Sequence, residues 1–290
     1  MRGLALAVEG DDEREADGVG DQPRKDQEES SEASQRSNPA GPEHGHPQGG
    51  GAQDDKAKFK GKGKGGPPAY QPPQGPAPKL PWGKPDFNGV WQRPFHQNLE
   101  QPYGGPLPYT PAGKKAFDEY DAENGDYTGS CLPFGHNRSI NGPDPVQIVQ
   151  TENTLSFLYE QNTWFKTMPI SDTIQHDPKK VPTWYGDSIA HWEGDVLVVV
   201  TKNFNGYTKL DTNGHPHSNK MVLTEKFARP DAGHIDYEVT VDDPVMYTKP
   251  WTLKKSFTLR TDWRIQEYSC EENNKGMYEG RIKPPDYMNK

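Results

Sequence analysis

From Val146 to Cys270 the chain is divided into short runs of β-branched and aromatic residues separated by turn-forming residues, and no helical pattern falls between them. The runs are VQIVQT (146 to 151), TLSFLYEQ (154 to 161), TWFKTMP (163 to 169), SIAHW (188 to 192), DVLVVVT (195 to 201), KMVLTEKF (220 to 227), HIDYEVTV (234 to 241), WTLKKSFTL (251 to 259) and WRIQEYSC (263 to 270). Glu193-Gly194-Asp195, Asn213-Gly214, Pro230-Asp231-Ala232-Gly233 and Asp242-Asp243-Pro244 supply the turns. Such spacing predicts an antiparallel meander, which at this length closes into a barrel or folds into a sandwich. DFNGVW (86 to 91) adds a turn leading into a first strand, and Pro94 to Pro108 reads as a surface loop. One helix is expected: Thr110 can cap it, Pro111 suits its first position, and KKAFDEYDA carries it to about Asn124 before Gly125, although Gly113 weakens it.

The strand-rich part is also where the apolar residues are. Apolar residues make up only 30% of the chain, and residues 1 to 80 contain no Ile, Trp or Cys, whereas all seven Trp follow them. A segment with so little to bury cannot offset its ordering entropy, so residues 1 to 80 are expected to form a disordered polar tail ending in the proline-rich spacer GGPPAYQPPQGPAPKLPW. The expected division is a tail over 1 to 80, a β domain over 82 to 275 and an extension over 276 to 290. A net charge of −9 argues against nucleic acid as a partner, and the basic run KAKFKGKGK (56 to 64) sits in the tail. No run of 18 apolar residues exists to form a membrane-spanning helix, and the opening MRGLALAVEGDDERE falls short of an export signal of the usual form.

Candidate chemistry comes from charges that interrupt apolar faces. Leu253, Lys255, Phe257 and Leu259 share one face of their strand, and Trp263, Ile265, Glu267 and Ser269 share one face of the next. A three-residue loop, Arg260-Thr261-Asp262, would set Lys255 opposite Glu267 while keeping the apolar residues together. Met221, Leu223 and Phe227 share their face with Glu225. An inward charge left alone costs several kcal/mol, so these residues are expected to be paired, to bind a ligand or to act as acid and base.

In a catalytic reading Glu225 is the acid, Glu267 the base, and Lys255 holds Glu267 ionised, with His191, which shares a face with Ile189, close by. Tyr159, Trp91 and Trp251 are the expected ligand contacts. The competing reading is an ion pair that only holds the barrel, or a strand whose outer side has been taken for its inner one. His215 and His217 in GHPHS would need a third ligand to hold a metal and are read as an ordinary polar loop. The absence of GxxxxGK[ST], GxSxG, HExxH and CxxC patterns leaves no cofactor indicated.

Taken in order, DFNGVW, CLPFGHNR (131 to 138), VQIVQT, HWEGDVLVV (191 to 199), GHPHS, DDPVMYTKPW (242 to 251) and QEYSCEEN (266 to 273) resemble a family of mostly exported bacterial β-rich proteins over roughly Pro85 to Asn274. The resemblance implies a periplasmic or secreted β domain and no particular reaction. It also bears on Cys131 and Cys270: two buried thiols in a reducing compartment, they would form a disulfide in an exported protein. Gly89-x-Trp91 is similar to the Gly-x-Trp opening of lipocalin-type barrels, in which an Arg from the last strand packs over the Trp, and Arg264 is the expected partner. The sequence therefore points to a single antiparallel β-barrel of calycin type with one short helix. Its expected function is small-molecule binding in a polar-lined cavity. The alternatives are an isomerase, lyase or hydratase using the interior Glu, Lys and His side chains, and a structural or cell-surface module.

Overall fold

The computed structural model describes residues 69–121, 126–272 and 274–280. The chain divides into two units after Lys64, and the first lies outside the described residues, as do the expected stop at Gly125 and the chain beyond residue 280. Nine strands form one sheet: β1 (Gly89–Gln92), β2 (Val146–Gln150), β3 (Thr154–Tyr159), β4 (Phe165–Pro169), β5 (Asp187–Glu193), β6 (Val196–Lys202), β7 (Val222–Ala228), β8 (His234–Asp242) and β9 (Trp251–Leu259). Their order is β4-β3-β2-β1-β9-β8-β7-β6-β5, a meander in which β1 joins its two halves.

All the paired strands are antiparallel, and the ring is nearly closed where β4 meets β5. An odd number of strands cannot alternate all the way round a ring, so one junction must be parallel. It falls at β4 and β5, where Ile170 and Ala190 form a parallel bridge and Ser171 N donates to Ala190 O at 2.8 Å. Residues 171 to 186 cross over between them.

Alternation sets the interior. Leu223, Glu225 and Phe227 of β7, Ile235, Tyr237, Val239 and Val241 of β8, and Leu155, Phe157 and Tyr159 of β3 are all buried. Stacked and tilted rings fill the space, with Phe227 to Tyr237 at 5.0 Å and Tyr237 to Phe257 at 4.9 Å between centroids. Trp91 and Trp251 belong to this core. Gly89 is needed where β1 meets β9: its φ is +134° and a Cβ would lie 2.6 Å from Leu259 Cδ1.

The expected helix is present as α2 (Pro111–Asp118), with Thr110 Oγ1 accepting from Gly113 N at 3.0 Å. It ends before Asn124, and Gly113, expected to weaken it, is where its backbone meets the Met246 carbonyl too closely for any Cβ. Among the described residues three further α-helices were not expected, the first two being α1 (Glu100–Tyr103), inside the Pro94 to Pro108 loop, and α3 (His136–Ile140), inside CLPFGHNR. A last short helix, α4 (Lys275–Tyr278), follows the final coil.

Three expectations are corrected. Residues 263 to 270 form no strand, and Glu267 is exposed and does not face Lys255. The place beside the end of β9 is already taken, since Trp91 pairs with Leu259 and Gln92 with Thr258, and Arg260 N donates to Val90 O. The chain then leaves the sheet at Arg260, whose guanidinium lies between the Tyr70 and Trp263 rings, and runs to Cys270. For the same reason Arg264 is exposed, and the cation over Trp91 is Arg229, 5.2 Å from the ring and donating to the carbonyls of Asp86, Asp231 and Ala232.

The third correction concerns the spacer. From Tyr70 onward it lies along the domain: Tyr70 OH donates to Leu259 O at 2.8 Å, Pro76 bridges Asp231, and Lys79 pairs with Asp195 at 2.8 Å.

Candidate functional site

Glu225 is where the inward charge of β7 meets a partner that the strand pattern does not contain. All five residues of α3 are buried, and Gly135 before it has a φ of +81°, with any Cβ falling 2.5 Å from Thr208 Oγ1. That close approach seats the helix at one end of the barrel and sends His136 inward. Its Nε2 lies 2.7 Å from Glu225 Oε2, and its Nδ1 lies 3.0 Å from Tyr159 OH. Tyr237 OH donates to Glu225 Oε1 at 2.8 Å.

The electrostatics fix the protons in this chain. Burial lowers the His136 pKa more than Glu225 raises it, so the imidazole is neutral. Burial alone would raise Glu225, but His136, Lys166 and the Tyr237 hydroxyl outweigh it and hold the carboxyl below its usual range. Burial lifts both tyrosines well above their ordinary value. Tyr159 therefore donates to Nδ1, His136 Nε2–H donates to one carboxylate oxygen, and Tyr237 donates to the other.

The nearby cations are buried too. Lys166 of β4 donates to Thr201 Oγ1 at 3.2 Å, and burial, partly offset by Glu225, brings its pKa down to about 8. Arg93 gives its donors to the carbonyls of Ser139, Gly142 and Asp144, and burial lowers it to about 10. Lys255, facing inward from β9 as expected, donates to Asn141 Oδ1. Burial first, and then Arg93, bring it down to about 7.

Beside α3 the barrel end opens into a pocket of about 250 Å³, lined by Phe95 and Phe134 and by the polar heads of Arg138, Asn141, Gln161 and Asp211 among others. Arg138 is held by a two-pronged contact to Asp126 at 3.1 and 2.9 Å. Asn141 also borders a narrow space deeper in, shared with Tyr237, Trp251 and Lys255. The disulfide Cys131–Cys270, with Cα atoms 5.6 Å apart, ties the segment before α3 to the final coil.

Of the residues singled out from sequence, Glu225 and Tyr159 meet at His136, while Lys255 and Trp251 line the narrow space. Trp91 is buried and donates its indole N–H to Phe87 O at 2.9 Å, which leaves it no role as a ligand contact. His191 does not face the interior. It lines an outer cleft of about 330 Å³ with His176 and Ile189, beneath the crossover from β4 to β5. Glu267 stands in solvent.

Sequence reasoning missed His136, Lys166 and Arg93. The only usable signal was the Gly135-His136 pair before a short polar stretch, a pattern too brief for helical periodicity to register. His215 and His217 are buried and turn to different partners, His215 Nδ1 lying 2.6 Å from Asp211 Oδ2 and His217 Nε2 lying 2.6 Å from Thr208 Oγ1. Among the described residues no three His, Cys, Asp or Glu side chains gather as a metal site, and no helix is long and apolar enough to cross a membrane. A larger groove of about 560 Å³ on the outer face of β7 to β9 has mixed charges, with Lys254 and Glu238 paired at 2.9 Å. The chain matches no protein-family model and none of the curated proteins.

Proposed function

We propose that this protein binds a small organic molecule at the α3 end of its barrel, with an apolar body against Phe95 and Phe134 and a polar head toward Asn141. The observation that carries this reading is the composition of the pocket: two aromatic walls converge on a few fixed polar groups, the usual make-up of a small-ligand site. At about 250 Å³ it suits a ligand smaller than a typical drug. A negatively charged head is favoured, because neither Arg93 nor Lys255, which both stand near Asn141, has a salt-bridge partner among the described residues.

A second reading, an acid–base enzyme of isomerase, lyase or hydratase type, is favoured by the Tyr159–His136–Glu225 chain. An ionised carboxylate behind an imidazole raises the basicity of the nitrogen that faces Tyr159. Burial of all three residues makes binding the better-supported reading.

Export to the periplasm or beyond is proposed on the disulfide and on the motif resemblance, since disulfides persist in oxidising compartments. Kinship with lipocalin-type barrels rests on Gly89-x-Trp91 and the near-closed meander, while the arginine over the tryptophan, Arg229, follows β7 and departs from the lipocalin pattern of an arginine from the last strand.

The test is a thermal-shift screen of small aromatic and aliphatic carboxylates against the full chain and its Phe95→Ala variant. Phe95 is 44% exposed and lies outside the buried core, so the variant should fold. Ligands that raise the wild-type midpoint should bind the variant about tenfold more weakly, the loss expected for one aromatic contact of about 1.4 kcal/mol. A midpoint unmoved by every carboxylate at millimolar concentration contradicts the reading.

A further inference from the structure

The structure assigns to Lys255 a role as an amine nucleophile: we infer that it forms an imine with a small aldehyde or ketone entering the pocket beside α3, the preferred ligand also carrying a carboxylate. The inference rests on the ligand-binding reading of that pocket and names the chemical class of its ligand.

Position comes first. Lys255 sits on the inward face of β9 between Leu253 and Phe257, opposite Tyr237 of β8. Its amine donates to Asn141 Oδ1, and Asn141 lines the pocket, so a single side-chain hydrogen bond separates the amine from the place where a ligand would enter. A lysine stem is flexible enough to make that exchange.

The charged and titratable groups around the amine keep it reactive. Among the described residues no carboxylate lies within ion-pair distance of it. Arg93 approaches from the segment after β1 and disfavours a second positive charge, while Asp211 acts in the opposite sense but is engaged by Leu99 N, His215 N and the His215 ring. His96, nearby, is lowered by its own burial and then by Lys255. Tyr237 across the strand pair is a neutral phenol. Desolvation and a neighbouring cation are the two conditions that turn a lysine into a nucleophile near neutral pH, and together they bring Lys255 down to about 7.

The step balances within the protein and its ligand. The lone pair of the neutral amine adds to the carbonyl carbon, and a proton moves from nitrogen to oxygen to give a carbinolamine. Loss of water then leaves the C=N bond. No oxidant or reductant is needed, and a carboxylate on the ligand would offset the charge of Arg93.

Glyoxylate, the smallest aldehyde with a carboxylate, is the probe. The full chain is incubated with glyoxylate and sodium cyanoborohydride, whose hydride reduces any imine to a stable N-carboxymethyl-lysine, and the modified positions are located by peptide mass spectrometry across a pH series. Lys254 is the internal comparator, because it is exposed and its pKa is raised by the hydrogen bond it donates to Glu238. At pH 7 Lys255 should be modified at least about tenfold faster than Lys254, with its rate half-maximal near pH 7 while that of Lys254 is still rising at the alkaline end of the series.

Asn141→Asp places a carboxylate beside the amine, should hold it protonated, and should cut its labelling at pH 7 by at least about tenfold. If that variant does not fold, the wild-type pH profile decides alone. Labelling of Lys255 no faster than that of Lys254, or with the same pH profile, overturns the inference. Glycolate has the carboxylate but no aldehyde to form an imine, and reports on the pocket independently. A thermal shift with glycolate or with any carboxylate of the screen but no adduct overturns the imine and leaves the binding reading standing, whereas no adduct and no shift with any of them overturns both.

Discussion

His136 Nε2 and Glu225 Oε2 stand 2.7 Å apart although 89 residues separate them in the chain, and the contact joins a five-residue helix to the middle of a barrel strand. Both side chains are fully buried. The pair thus links the seating of α3 to the barrel interior, and with it the shape of the pocket that α3 borders.

Removing His136 should be costly. His136→Ala leaves a buried carboxylate with only Tyr237 as a direct partner and a cavity where the ring stood, which together cost about 3–5 kcal/mol. Glu225→Gln keeps the shape but turns one acceptor oxygen into an N–H donor that faces a donor, and it removes the counter-charge to Lys166, so a smaller loss of about 1–3 kcal/mol is expected. Urea unfolding of the three proteins at neutral pH checks the order. Equal losses would mean that the contact is only packing.

The same pair predicts a pH dependence. Glu225 has a folded pKa below its unfolded one. Its contribution is therefore fully present above the unfolded value of about 4.3 and is lost as pH falls toward the folded value. The stability difference between wild type and Glu225→Gln should shrink as pH drops below about 4 and stay level between about 5 and 7. A difference that grows on acidification contradicts the assignment of an ionised Glu225.

Some of this arrangement was legible in the sequence. Period-2 alternation placed Glu225 and Lys255 inward, because the residues two positions away on the same face, Leu223 and Phe227 or Leu253 and Phe257, are apolar. The same rule misread Trp263, Ile265 and Glu267, whose alternation lies in coil because β1 already occupies the edge of β9. It also gave no warning of Lys166. In β4 Phe165 is exposed and Lys166 buried, a phase set by the pairing of Lys166 with Phe157 and not by the hydrophobicity of the strand itself. His136 was invisible because five residues are too few to show a helical period, and its partner lies far along the chain.

The disulfide should matter for stability. Cys131 and Cys270 are 139 residues apart, and in the chain-entropy model a loop of that length contributes about 5 kcal/mol, with measured values often smaller. A Cys131→Ser/Cys270→Ser double variant should melt well below the wild type by calorimetry under oxidising conditions. A midpoint unchanged within a degree or so would show that the final coil is held by other contacts.

Where the N-terminal segment is cut should decide whether the domain is affected. A chain starting at residue 69 keeps the hydrogen bonds of Tyr70 to Leu259 and Thr261, its ring against Arg260, and the Pro76 bridge to Asp231. One starting at residue 82 loses them all, at about 1–3 kcal/mol for the lost hydrogen bonds and the ring contact together. Comparing the thermal midpoints of the two truncated proteins separates the cases, and identical midpoints would show that the spacer contributes nothing.

The most direct test of the central claim is an amide NMR titration of the full chain with benzoate, a ring and a carboxylate of about the size the pocket admits. Binding beside α3 predicts saturable shifts at Phe95, Phe134, Asn141 and Gln161, with the outer-face residues Lys226, Glu238 and Lys254 unmoved. Shifts confined to the outer face, or no saturable shift anywhere, would contradict it.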